Sequence, residues 1–172
     1  NRPIEPYHER KSISTERTFE KDTIDVIMLK GLLSAMAENL AYQLRKGNKL
    51  CACVTVKVRY SDFNTHSIQA KIPYTSADHS LIKKTLDLFD SLFQRRLLIR
   101  LVGVRFSDLV SGGQQMNLFE DTEELIHLYQ KMDIIRNKYG DQAVRRANGM
   151  DAKTIGRRGN PFDGSAPILL AN

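Results

Sequence analysis

The sequence predicts an α+β domain, in which a four-stranded sheet of β-α-β-β-α-β order carries two helices on one face, followed by a C-terminal helical segment and a tail. Residues 50–60 alternate apolar and polar side chains, as a half-buried strand does. Residues 26–44 repeat apolar side chains at three- and four-residue steps, as a core-packed helix does. Weaker alternation and weaker helical spacing of apolar residues elsewhere in the chain predict the remaining strands and the second helix.

The first strand and helix follow a proline-containing linker, residues 1–10. Residues 11–19 alternate as a strand does. Asp22 or Thr23 is expected to cap the first helix, and Gly47 is expected to end it.

The central hairpin and the second helix come next. The strand of residues 50–60 and its neighbour, residues 66–72, each place apolar side chains on one face and polar or basic side chains on the other. Pro73 ends the hairpin, and Ser76 or Asp78 starts the second helix.

The last strand lies within residues 95–106. Its alternation breaks at Gly103, which predicts a β-bulge there that re-aims Arg105.

The composition changes after residue 110. A Gly-Gly loop leads into a predicted helix, residues 122–140, which Gly140 ends. The apolar stripe of this helix consists of Leu125, Leu128, Met132 and Ile135. The chain therefore divides into a linker (1–10), a sheet domain (11–108), a loop (109–121), a helical segment (122–147) and a tail expected to be extended or disordered (148–172).

The face of the sheet without helices is predicted to be polar and basic. Its expected occupants are Ser12, Ser14, Thr18, Thr55, Lys57, Arg59, Ser67, Gln69, Lys71 and Arg100. Basic head groups with hydroxyl and amide donors are the mix that positions a protein on a nucleic-acid backbone. The formal net charge of +6 favours a polyanionic partner. An ordinary solvated sheet face accounts for the same pattern.

RNA-recognition modules with this element order stack bases on aromatic side chains of the sheet. The predicted outward positions hold no aromatic residue, which favours backbone contact over base stacking.

Patterns for catalysis and metal binding are absent from the sequence. It contains no Gly-rich phosphate loop and no His-carboxylate-nucleophile arrangement. Cys51 and Cys53 are expected on one face of a strand as reduced thiols, and the histidines lack metal-site spacing relative to them. No window approaches the apolar length of a membrane span. We therefore expect no cofactor, no metal and no membrane contact, and a cytoplasmic location.

The apolar residues in the loop allow two interpretations. Such a cluster can fold back as a staple on the following helix. A glutamine followed by spaced apolar anchors and an aromatic on a glycine tether can also fill a pocket on a partner protein. The residues concerned are Gln115, Met116, Asn117, Leu118 and Phe119.

Four stretches carry a family resemblance: KSISTERTF (11–19), VKVRYSDFNTHS (56–67), LIRLVGVRFSDLV (98–110) and QMNLF (115–119). Together they resemble the C-terminal half of Y-family translesion DNA polymerases, the DNA polymerase IV and UmuC group, over about residues 10–147. In that family the β-α-β-β-α-β module, the little finger, grips primer-template duplex through its backbone. A short peptide tethers the enzyme to the sliding clamp.

The resemblance implies roles for individual residues. It implies phosphate contacts for Lys11, Ser12, Ser14, Arg17, Arg59, Thr65, His66, Ser67, Arg100 and Arg105, to which the face pattern adds Lys57 and Lys71. It implies clamp binding for Gln115, Met116, Asn117, Leu118 and Phe119. Met116 stands where leucine is commoner, an exchange that conserves size.

The resemblance also implies that the polymerase active site lies elsewhere. Its magnesium-binding carboxylates would lie in a palm domain preceding residue 1, so we expect this chain alone not to synthesise DNA. The implied partners are duplex primer-template DNA, the sliding clamp and the rest of the polymerase, acting in damage bypass. About fifty residues follow the peptide here, a layout closer to UmuC-like and longer bacterial members. Two alternatives stay open: a protein-interaction module without a nucleic-acid role, and a stand-alone RNA-binding domain.

Overall fold

The computed structural model describes residues 10–93, 97–112, 123–141 and 143–149. The elements are β1 (Ser12–Thr23), α1 (Val26–Lys46), β2 (Lys49–Tyr60), β3 (Thr65–Thr75), α2 (Asp78–Leu92), β4 (Ile99–Ser107), β5 (Val110–Ser111), α3 (Glu123–Tyr139) and a 3-10 turn (Ala147–Gly149). The antiparallel sheet has the order β1-β4-β2-β3, and the short β5 pairs with β2. The predicted α+β class and element order are confirmed.

The core lies between the sheet and the two helices α1 and α2. Alternate residues of β2 and β4 point into it, and α1 and α2 close it with leucine and phenylalanine side chains. The fully buried members include Val54, Val56, Val58, Val104, Phe106, Leu29, Leu33, Leu81 and Phe89. Each such side chain stabilises the fold by roughly 1.5–3 kcal/mol through its removal from water. Because α1 and α2 both pack on this side, the opposite face of the sheet carries neither helix.

Helix α1 begins later than the sequence predicts. Strand β1 continues to Thr23, so the cap is Asp25 rather than Asp22 or Thr23. The Oδ1 atom of Asp25 accepts a hydrogen bond from the Met28 amide at 3.0 Å, which satisfies one donor that a helix start leaves open. Gly47 occupies the C-terminal cap as predicted.

The predicted bulge at Gly103 is wrong. Gly103 pairs in register with Glu16 on one side and Lys57 on the other. The irregularity lies at Arg100, because the adjacent residues Arg59 and Tyr60 pair with Leu101 and Ile99. The extra residue lets β4 turn both Ile99 and Val102 into the core, where both are fully buried. A regular strand would point these two side chains to opposite faces.

The predicted apolar stripe of α3 is wrong at two of its four residues, whereas Leu125 and Met132 are half-buried. Leu128 is 50% exposed and Ile135 is 40% exposed. The buried side chains of this helix are Tyr129 and Arg136. Helix α3 therefore packs through polar groups, a mode that hydrophobic periodicity does not reveal.

Ion pairs and hydrogen bonds join α3 to the helix layer. The Nε and NH2 atoms of Arg45 lie 2.6 and 2.9 Å from the two carboxylate oxygens of Asp133, and its NH1 lies 2.5 Å from Asp78 Oδ1. The NH2 of Arg136 lies 2.5 Å from Glu38 Oε1. Burial disfavours the Arg45 cation, but its bonds to Asp133 and the charge of Asp78 outweigh this, so the pKa of Arg45 lies above its usual value.

The two cysteines do not share one face of the strand, contrary to the prediction. Both are free and buried, but Cys51 belongs to the core cluster. Cys53 lies outside that cluster and pairs in register with Ser107 and Lys71. A register shift in the pairing of β2 with β3 falls between the two cysteines.

Candidate nucleic-acid interface

The sheet surface away from the helices, here called the open face, consists of cross-strand rows. Each row takes one residue from β1, β4, β2 and β3 in that order, because these strands pair in register. The rows are Ser12–Ser107–Cys53–Lys71, Ser14–Arg105–Thr55–Gln69, Glu16–Gly103–Lys57–Ser67 and Thr18–Leu101–Arg59–Thr65. No aromatic side chain occurs in these rows, which agrees with the sequence prediction.

The open face brings four cations together, namely Lys57, Arg59, Lys71 and Arg105. Neighbouring strands lie about 4.8 Å apart, and successive rows about 7 Å apart, so these head groups share one surface. The Nε atom of Arg59 donates to Thr65 Oγ1 at 2.8 Å, which orients its guanidinium. Hydroxyl groups of Ser12, Ser14, Thr55 and Ser67 lie among the cations.

Arg17 and His66 do not lie in the rows of the open face. Both pair in the row Arg17–Val102–Val58–His66, whose two valines are fully buried beneath the helices. The His66 ring meets the core ring of Tyr60 edge-on, with centroids 5.7 Å apart.

Lys11 and Arg100 also lie outside these rows. Lys11 precedes β1 and is exposed. Arg100 is the bulge residue, and its guanidinium carbon lies 4.7 Å from the centre of the Phe63 ring, with NH1 3.8 Å from Asp22. The contacts of all four residues with DNA stay predictions.

The sequence analysis missed an acidic residue on the open face. Glu16 stands in the third row, with both carboxylate oxygens 3.0 and 3.1 Å from Lys57 Nζ. Its alternation with Ser14 and Thr18 was the signal that could have placed it there, since all three share one strand face.

The proposed clamp residues Gln115, Met116, Asn117, Leu118 and Phe119 lie outside the described residues. Within the described ranges, no group of three or more His, Cys, Asp or Glu side chains could hold a metal ion. That part of the chain therefore does not fit the magnesium site implied by the family resemblance, and the location of that site stays a prediction. None of the described helices is long and apolar enough to cross a membrane.

Residues 10–118 match the impB/mucB/samB family C-terminal domain. DNA polymerase IV of Dehalococcoides mccartyi strain CBDB1 is 34% identical over 147 residues, which cover 84% of this chain and 38% of that protein. DNA polymerase IV of Clostridium acetobutylicum is 35% identical over 153 residues, which cover 86% of this chain and 38% of that protein. This chain therefore spans less than two fifths of the length of these relatives.

Two solved structures share the fold. The crystal structure of DinB from Sulfolobus solfataricus aligns with a TM-score of 0.51 and 22% identity, over 59% of this chain and 29% of that chain. A Y-family DNA polymerase chimera aligns with a TM-score of 0.55 and 24% identity, over 64% of this chain and 32% of that chain.

The family match and the polymerase relatives confirm the resemblance inferred from the four sequence stretches. Absence of DNA synthesis by this chain alone stays a prediction. The match over residues 10–118 shows that the chain belongs to the impB/mucB/samB family, carries the C-terminal domain of that family and is related to DNA polymerase IV.

Proposed function

We propose that this chain grips primer-template duplex DNA through phosphate contacts on the open face, as the C-terminal part of an error-prone translesion polymerase. The observation that carries the proposal is the convergence of Lys57, Arg59, Lys71 and Arg105 on one helix-free surface. A single carboxylate, that of Glu16, accompanies these four cations in the rows. The resulting positive surface suits a polyanion.

The contacts on the open face are suited to the DNA backbone rather than to the bases. Lys71 and Arg105 are exposed and make no ion pair with other residues of the described ranges, so their head groups are available to phosphate oxygens. Arg59 is already oriented by Thr65. Without aromatic side chains the rows offer no base-stacking platform. We therefore expect binding with little sequence preference.

The proposal has a second part, in which residues Gln115–Phe119 dock on a sliding clamp. The resemblance to the family supports this part, as does the position of the peptide between two anchored elements. Before it, the Gly112 amide donates to the Asn48 carbonyl at 3.1 Å, and after it α3 is held by Arg45 and Arg136. Phe119 would supply most of the buried area in a clamp pocket.

Salt dependence of duplex binding tests the first part. We expect the logarithm of the association constant for a labelled duplex to fall with the logarithm of salt concentration with a slope of several units. Arg105→Ala should lower this slope by about one unit and weaken binding several-fold on unrelated sequences. Fluorescence anisotropy across a salt series measures both quantities.

Lys30→Ala is the matched control, because Lys30 pairs with Asp90 on the helix side and its loss changes the net charge equally. It should leave duplex affinity within about two-fold. Equal damage from both variants, or affinity independent of salt, contradicts phosphate contact through the open face. Tighter binding to single-stranded RNA than to duplex DNA would favour the RNA-binding alternative.

Phe119→Ala tests the second part. We expect it to abolish binding to a purified sliding clamp in a pull-down, because the peptide loses its aromatic anchor. Duplex affinity measured on the same preparation should stay unchanged. Loss of duplex affinity instead would show that the peptide had been assigned to the wrong partner.

A further inference from the structure

The ion pair between Glu16 and Lys57 crosses a strand. Glu16 belongs to β1 and Lys57 to β2, and these strands are separated by β4. Lys57 Nζ nevertheless lies 3.0 and 3.1 Å from the two carboxylate oxygens of Glu16. The side chains keep 33% and 44% of their surface exposed for Lys57 and Glu16, so the pair sits at the solvent boundary of the open face.

Gly103 explains how this pair can form. It is the β4 residue in register between Glu16 and Lys57. A Cβ atom at this position would lie 2.7 Å from Glu16 Cγ, closer than real Cβ contacts. The backbone of Gly103 does not adopt the left-handed conformation, so the role of the glycine is to leave room for the Glu16 side chain. The Glu16 carboxylate therefore passes over Gly103, where there is no side chain, and reaches Lys57 Nζ.

Glu16 competes with DNA phosphate for the ammonium group of Lys57. A carboxylate presents two anionic oxygens to the Lys57 ammonium, as a phosphate does. Exposed lysine-carboxylate pairs are weak, so an incoming phosphate can displace the carboxylate. The displaced Glu16 charge then stays on the surface that must approach the DNA, where it repels phosphate.

We infer that Glu16 is an internal competitor for phosphate: seated over Gly103, its carboxylate holds Lys57 and lowers the affinity of the open face for duplex DNA. This inference rests on the proposed function and deepens it by naming a residue that sets the strength of the grip. Lys57 stays paired with Glu16 and contacts DNA only when a phosphate displaces the carboxylate. Lys71 and Arg105 carry no such partner within the described ranges.

A double-mutant cycle tests the inference in the full chain, by fluorescence anisotropy with a labelled primer-template duplex. Glu16→Gln should tighten binding about three- to ten-fold and steepen the salt slope by up to about one unit. Lys57→Gln should weaken binding less than about two-fold when Glu16 is present, and several-fold more in the Glu16→Gln background. Additive effects of the two substitutions would overturn the inference.

Asp90→Asn is the matched control. It removes the carboxylate of the exposed Lys30–Asp90 pair, whose atoms lie 2.7 Å apart on the helix side, and changes the net charge as Glu16→Gln does. We expect it to leave duplex affinity unchanged. Tightening equal to that of Glu16→Gln would show an effect of overall charge and would overturn the inference.

Gly103→Ala tests the same geometry by another route. Its methyl group should displace Glu16 from its seat, so the variant should reproduce part of the tightening seen with Glu16→Gln. It should add little in the Glu16→Gln background, and a thermal melt shows whether each variant is folded. If the wild type does not bind duplex at any salt concentration, the proposed function fails. If it binds with a steep salt slope and Glu16→Gln binds within two-fold of it, only the inference about Glu16 fails.

Discussion

Cys51 is a buried thiol whose protonation depends on folding. Its Sγ donates to the Thr75 carbonyl at 3.5 Å, inside the core cluster. Burial, with a smaller contribution from the nearby Cys53, raises the pKa of Cys51 from 9.0 to about 12. Between these two values the folded chain keeps a proton that the unfolded chain loses, so the free energy of unfolding must fall as pH rises through this window.

Removal of the thiol should remove this pH dependence. Between pH 8 and pH 10 the wild type should lose about 1.4 kcal/mol more stability than Cys51→Ala, because most of the unfolded thiols deprotonate over this range. Urea unfolding of both proteins at the two pH values measures the difference. Parallel pH profiles would contradict the assignment.

Strand alternation alone predicted that Lys57, Arg59 and Lys71 lie on the open face, because a regular strand exposes every second side chain on the same side. Arg17 and His66 were assigned from the resemblance, although the same alternation places Arg17 on the face opposite Ser14 and places His66 on the face opposite Ser67.

Helix α3 shows how an element can be predicted while its packing is not. Its 3.6-residue rhythm and Gly140, which adopts a φ of 99°, mark its extent in the sequence. Its buried side chains, however, are Tyr129 and Arg136, and Asp133 is partly buried against Arg45, contacts that the apolar pattern does not reveal. The bulge at Arg100 escaped for a similar reason, because the break in alternation could be placed at several residues of β4.

The seating of α3 should depend on the Arg45–Asp133 pair. Asp133→Asn should expose the α3 backbone amides to faster hydrogen exchange and cost about 3 kcal/mol, because Arg45 loses a buried partner. Asp90→Asn, which breaks an exposed pair, should cost less than about 1 kcal/mol. Exchange rates in α3 that do not change in Asp133→Asn would show that other contacts seat the helix.

In the molecule as a whole, the two sides of the sheet carry different kinds of contact. The open face carries the cations of the rows, whereas on the other side of the sheet α3 contacts Glu38 and Arg45 of α1 and His79 of α2. The sequence predicted this division because the helix stripes and strand alternation point the same way. Alternation in β1 could have placed Glu16 on the open face, but its position beside Lys57 required the pairing of β4 with both β1 and β2.

This separation predicts that loosening α3 does not weaken the proposed binding of duplex DNA. Asp133→Asn should leave the duplex dissociation constant within about two-fold of the wild type, even where hydrogen exchange shows α3 to be released. Anisotropy titrations at one salt concentration check this. A large loss of duplex affinity would mean that α3 supports the open face through the core.

Ion pairs and hydrogen bonds tolerate little sliding, because their distances and angles are narrowly set. The ion pairs of α3 with α1, Asp133 with Arg45 and Arg136 with Glu38, therefore fix the position of this helix more narrowly than leucine contacts would. The described residues on both sides of positions 113–122, Gly112 and helix α3, are thus each held by hydrogen bonds or ion pairs. On the proposed function, a clamp that binds Gln115–Phe119 would meet a peptide whose flanking residues are held to the domain on both sides.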